Sequence, residues 1–171
     1  MRAESQKKEV ERFMVELSSI IKKPVKIYFT GGATAVLFGI RKSTIDVDIK
    51  FEPDESQMYE AIRMLKEKLD MNIELASPDN FIPPLPGWRE RSVFIKKIMN
   101  LEFFHYDLSS QIISKVQRGW EQDLADGAGF LKLGVEKKNI MALFKSIKND
   151  FVRYPTVNVE ILEQKLIKFL C

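Results

Sequence analysis

The sequence predicts an α+β or α/β core with a helical cap, and three observations predict it. Apolar residues recur at helical spacing near the start of the chain. Short segments of strict alternation, separated by helical ones, fill residues 25–106. From Leu108 to the end only helical periodicity remains.

The elements follow in order. Val10, Phe13, Met14, Leu17, Ile20 and Ile21 mark a helix over 3–22, which Pro24 stops. Val25, Ile27 and Phe29 alternate with Lys26 and Tyr28 as a half-buried strand. Gly31-Gly32 makes a tight turn into a short helix, Ala33 to Phe38, which Gly39 ends. In the next strand Ile45, Val47, Ile49 and Phe51 point one way and Asp46, Asp48 and Lys50 the other. Beyond Pro53, Asp54 and Gln57 resemble a variant capping box opening a helix with Met58, Ala61, Ile62, Leu65 and Leu69 on one face. A short strand at 71–76 precedes a proline-rich loop at 77–91, long for a connector. Strands near 93–98 and 101–106 join tightly around Asn100. Glycines and Pro155 punctuate the helices after Leu108. The organisation is a core over 1–107 and a helical C-terminal region over 108–171.

A chain of 171 residues buries enough surface to need no covalent staple. With one cysteine, Cys171, and one histidine, His105, neither a disulfide framework nor a multi-histidine metal site can be built. A metal here must be held by carboxylates, which suits Mg²⁺ or Mn²⁺. The charged residues 1–11 lack a signal-peptide core and no apolar run spans a membrane, so the expected location is cytoplasmic, with no membrane partner. The net charge of +3 is too mild to argue for nucleic acid by itself.

Asp46 and Asp48 carry the most chemistry. At i and i+2 on a strand their side chains leave one face, about 7 Å apart. Carboxylates so close oppose each other's ionisation, and a divalent cation between them removes the opposition. The apolar opposite face anchors the strand and aims the acids outward. Alone, this pattern is equally an exposed strand face. Its context is the turn at Gly31-Gly32, which ends one strand and opens a helix where backbone N–H groups can approach a phosphate.

The segment from Tyr28 to Lys50 resembles the signature of the DNA polymerase β-like nucleotidyltransferase superfamily. That resemblance implies an α+β nucleotidyltransferase fold, a mixed sheet flanked by helices, with Gly31, Gly32 and Thr34 at the triphosphate of an NTP. It also implies Asp46 and Asp48 on Mg²⁺ or Mn²⁺, with a third acid from a neighbouring strand. The stretches 72–83, 104–107 and 114–126 extend the likeness to a small prokaryotic branch similar to the abortive-infection (AbiEii-type) toxin nucleotidyltransferases.

Glu74, alternating outward on the next strand, is the expected third metal ligand; Asp79 and Asp107, each just beyond a strand, are its rivals. Lys115 and Arg118, three apart on a helix, share a face beside the expected buried stripe of Ile112, Ile113, Val116 and Trp120. The resemblance implies Lys115 and Arg118 as nucleotide-binding and Lys115, Asp123 and Asp126 as catalytic. Such charges otherwise form local ion pairs on a solvated face. His105 reads as a hydrogen-bonded, half-buried residue. Trp88, with Arg89 and Arg91, either stacks a base or anchors its loop.

The implied reaction is transfer of an NMP from an NTP to a hydroxyl on RNA, tRNA being the first expectation, on a protein or on a small molecule. Two other readings stand beside it: a catalytically inactive nucleotide-binding member of the fold, and a toxin–antitoxin component whose main role is to bind an antitoxin partner.

Overall fold

The computed structural model describes residues 2–171, which form two compact units. One comprises Met1–Ser77 with Ser92–His105, the other Pro78–Arg91 with Tyr106–Cys171.

The first unit is built on a five-stranded mixed sheet in the order β3-β2-β1-β5-β4. Its elements are α1 (Lys7–Ile20), β1 (Val25–Thr30), α2 (Gly31–Leu37), β2 (Asp46–Glu52), α3 (Ser56–Lys68), β3 (Asn72–Leu75), and, after the excursion at 78–91, β4 (Val93–Ile98) and β5 (Leu101–His105). In the second unit a single 3₁₀ turn at Pro78–Asn80 leads to α4 (Trp88–Arg91). There follow α5 (Leu108–Arg118), α6 (Glu121–Leu131), α7 (Lys137–Ile147), a second 3₁₀ segment at Lys148–Arg153 and α8 (Val159–Leu170). The architecture is thus the expected α+β one, with a helical C-terminal part.

β1 pairs antiparallel with β2 and parallel with β5, β2 pairs parallel with β3, and β4 closes the far edge antiparallel to β5. The alternation seen in the sequence sorts the two faces. Val25, Ile27, Phe29, Val47, Ile49, Ile73, Leu101 and Phe103 are buried in one cluster with the apolar stripes of α1 (Val10, Phe13, Met14, Leu17) and α3 (Met58, Ala61, Ile62, Leu65). Each fully buried large aliphatic or phenyl side chain contributes about 1.5–3 kcal/mol. The other face of β2 presents Asp46, Asp48 and Lys50, so the hydrophobic anchoring of the strand fixes where its acids point.

The ends of elements differ from expectation for local reasons. The first helix starts at Lys7 because Ser5 is held in extended backbone, exchanging two hydrogen bonds with Thr44 (2.7 and 2.9 Å). Gln6 and Glu9 then close a capping box. That bridge buries Thr44 and turns Ile45 out to solvent (57% exposed), so Ile45 does not join Val47 and Ile49 in the core. The α3 cap is Glu55, whose carboxylate accepts from Gln57 N–H, while Asp54 accepts from Tyr59 Oη (2.8 Å). The segment 77–91 is tied down rather than open. Trp88 stacks on Tyr106 with rings 4.4 Å apart, and Tyr154 Oη donates to the Asp79 carbonyl (2.6 Å).

Candidate functional site

The site is centred on the start of β2, where two neighbouring strands and one turn bring groups to its acids. On one side, Asp46 and Asp48 lie opposite Asn72 and Glu74 of β3. Asn72 Nδ2 donates to Asp46 Oδ1, which orients that carboxylate. On the other side, Thr30 at the end of β1 lies opposite Asp48. Gly31 follows with φ +60, a left-handed conformation that costs a residue with a Cβ roughly 1–2 kcal/mol. A Cβ on Gly31 would also stand 3.3 Å from Asp48 Oδ2. The glycine therefore lets bare backbone and the Asp48 carboxylate share one corner.

Gly32 has a different task. A Cβ there would overlap the Thr44 hydroxyl, with Thr44 Cβ at 2.8 Å and Arg41 Nη1 at 3.1 Å. Gly32 thus seats the 40–44 loop against the turn, and that seating puts the Arg41 guanidinium beside it. We expect Gly32→Ala to force that loop away and lower the melting temperature by several degrees, with a stability loss of about 1–3 kcal/mol for the overpacking. A thermal denaturation series comparing it with Gly39→Ala, where no atom lies within 4 Å, separates crowding from backbone strain.

Glu74 is exposed and, besides facing Asp48 in register, lines a groove of about 360 Å³ with Tyr59, Arg63 and Lys66 of α3. Among the described residues no three Asp, Glu, His or Cys side chains gather closely enough to hold a metal ion together. The structure thus assembles two carboxylates with a third one strand away. This donor set fits Mg²⁺, which commonly takes one or two protein carboxylates and fills its remaining positions with water and substrate phosphate oxygens.

The second unit holds the other predicted residues, and there they meet one another. Lys115 Nζ lies 3.3 Å from Asp123 Oδ1 and 3.1 Å from Asp126 Oδ2. Arg118 Nε is 3.2 Å from Asp123 Oδ2, and Gln122 Nε2 donates to Asp126 Oδ1 (2.9 Å). Lys115, Asp123 and Asp126 are all buried. Two cations and two anions cancel inside a network that joins α5 to α6, with the ammonium of Lys115 between the two carboxylates. Asp107, a rival for the metal, caps α5 by accepting from Ser109 N and Ser110 N, and takes a two-pronged ion pair from Arg91 (3.1 and 2.8 Å). With Trp88 stacked on Tyr106 and Arg89 over the indole at 4.4 Å, this segment anchors its own loop.

Comparison with known families adds one finding. Residues 7–129 match the model of a family described as nucleotidyltransferase of unknown function (DUF6036). The chain belongs to that family. The match runs from α1 into α6 and so takes in the glycine turn, the carboxylate strand and the α5–α6 network. No curated protein matches the chain. No solved structure matches it either.

Within this nucleotidyltransferase-family chain, Thr34 and His105 form a buried pair under the turn. Thr34 is fully buried, its hydroxyl donates to the Phe29 carbonyl (3.0 Å), and His105 Nδ1 lies 3.2 Å from it. That hydroxyl ties α2 to β1 beneath the turn. His105 stacks on Phe38 (4.2 Å) and is more buried than its half-buried reading foresaw. Burial lowers its pKa from 6.5 to about 4. A histidine with a depressed native pKa binds its proton in the unfolded chain first. Stability should therefore be full above pH 6.5 and fall as the pH drops toward 4, by at most about 3 kcal/mol from this residue. Urea titrations of wild type and His105→Phe between pH 4.5 and 7 check this: the wild-type curve should be the steeper.

Arg41 is the functional candidate that sequence reasoning missed. Its only sequence signal is a cation in the loop between the glycine turn and the carboxylate strand; its placement beside Gly32 depends on how that loop folds.

Proposed function

We propose that this protein is a Mg²⁺-dependent nucleotidyltransferase that passes an NMP from an NTP to an acceptor hydroxyl. The observation that carries the reading is the corner at which Asp48 Oδ2 meets Gly31, with Asp46 on the same strand face. Membership of a nucleotidyltransferase family supports it.

In this reading Asp46 and Asp48 hold the cation, with Glu74 as the nearest further acid. When bound, the cation neutralises phosphate charge and helps align the triphosphate. Gly31, lacking a Cβ, lets the chain approach the β- and γ-phosphates closely, and Arg41 beside Gly32 supplies a guanidinium suited to bidentate phosphate contact. The acceptor hydroxyl attacks the α-phosphorus in line. Its oxygen forms the new P–O bond and gives up its proton to solvent, the bond to the bridging α–β oxygen breaks, and pyrophosphate leaves with the electron pair. Catalysis is then mainly positioning and preorganised charge. The likeness to the toxin branch makes an RNA end, tRNA first, the acceptor to try, and an antitoxin the partner to look for.

Calorimetry tests the binding half. Wild type should bind NTP in Mg²⁺ and lose most of that affinity in EDTA. Asp46→Asn with Asp48→Asn should lose that Mg²⁺-dependent gain. A double variant that keeps the same Mg²⁺-dependent gain as wild type would place the metal-bound nucleotide elsewhere.

A further inference from the structure

The second unit contains a cleft of about 500 Å³ that involves none of the groups used above except Arg118. It lies among α5, α6 and α8, and its α8 side falls beyond the residues matched by the family model. Its size is within the roughly 300–1,000 Å³ typical of small-molecule sites.

The lining divides by chemistry. Val116, Leu124 and Phe169 are apolar, while Arg118, Lys165 and Lys168 are cationic, and no acidic side chain lines the cleft. Asp123 offsets Arg118 at 3.2 Å. Among the described residues neither Lys165 nor Lys168 has a carboxylate partner. An anion in the cleft would meet all three cations, two of them without a carboxylate of their own. Two glycines shape the space. Gly119, left-handed at φ +74, ends α5; a Cβ there would stand 3.9 Å from Lys165 Nζ. At Gly127 a Cβ would stand 3.1 Å from Phe169 Cζ, so the bare backbone lets the tip of that ring seat closely against α6. Trp120, next to Gly119 in the chain, lies past the end of α5 and is 71% exposed, so it does not join the buried stripe of Ile112, Ile113 and Val116.

We propose that this cleft binds a nucleoside phosphate, its phosphate held by Lys165, Lys168 and Arg118 and its base placed on the apolar side near Phe169. Inorganic phosphate would leave the apolar lining unused, and an apolar ligand would leave the cations unneutralised. A phosphate joined to a flat ring satisfies both. The ligand is a free mononucleotide or one nucleotide unit of a single strand, since both present the same chemistry. The cleft stands on the second unit alone and does not depend on the carboxylate strand.

The test is titration of the full chain, in EDTA, with AMP and with a fluorescein-labelled adenylate hexanucleotide. Wild type should bind at least one of them. Lys165→Glu with Lys168→Glu should weaken that binding by on the order of tenfold or more. If the strand is the ligand, losing two phosphate contacts should reduce the slope of log K against log salt by about 1.4. AMP binding as tightly as the hexanucleotide identifies a free nucleotide; hexanucleotide binding alone identifies a strand. Asp46→Asn with Asp48→Asn should bind as wild type does, which separates this site from the transferase reading. Unchanged binding by the lysine variant, or no binding of either probe, would overturn the proposal. So would equal competition by inorganic phosphate or by polyglutamate, which would reveal a patch that reads charge alone.

Discussion

Lys115→Met is expected to destabilise the protein by about 3–5 kcal/mol, because it leaves Asp123 and Asp126 buried without their shared cation. Arg118 offsets only the far oxygen of Asp123, and Gln122 gives Asp126 a neutral donor. The loss should be reversed in large part when Asp123→Asn and Asp126→Asn are added, since the triple variant buries no unpaired charge. Urea denaturation of the wild type, the single and the triple variants measures this directly. A Lys115→Met protein of unchanged stability that had lost nucleotide affinity would instead give this lysine the phosphate-binding role implied by the family resemblance. The two roles thus make opposite demands on one denaturation curve.

Asp48→Asn is expected to act the other way round, reducing nucleotidyl transfer by roughly a thousandfold or more while leaving the fold intact. Asp48 sits on the outward face of β2, with Glu74 opposite in register and Asp46 two residues away, so the isosteric change leaves the core closed. The packing that holds the strand belongs to Val47 and Ile49, which the substitution does not touch. Thermal melting alongside initial rates at saturating NTP checks both halves. Loss of fold and activity together would reduce Asp48 to a structural residue.

Much of the first unit was legible because one period governs each element. Alternation in β1 and β2 foretold both which side chains are buried and that Asp46 and Asp48 share a face. Helical spacing likewise identified the stripes of α1 and α3. What escaped depends on contacts between distant segments. The bridge from Ser5 to Thr44 spans about 40 residues and decides both where α1 begins and why Ile45 is exposed. The proline-rich segment reads as an open loop because its anchors, Tyr106, Asp107 and Tyr154, lie far along the chain. Charge identity was legible in Lys115, Asp123 and Asp126, but their mutual distances and burial were not, because they depend on how α6 folds back on α5. The cleft on α8 had a signal in the spacing of Lys165, Lys168 and Phe169, which places them on one helical face, but its opposite wall comes from α5 and α6.

The central claim is that the corner of Gly31, Asp46 and Asp48 transfers nucleotides, and one measurement tests it most directly. Each α-³²P-labelled NTP is incubated with the protein, Mg²⁺ or Mn²⁺, and total tRNA or cell extract, beside the Asp46→Asn, Asp48→Asn double variant. Label that becomes covalently attached to a macromolecule with wild type, and not with the double variant, is the expected result, and the labelled species names the acceptor. Label transferred equally by both proteins would contradict the site, and no transfer by wild type with any of the four nucleotides and either metal would contradict the reaction.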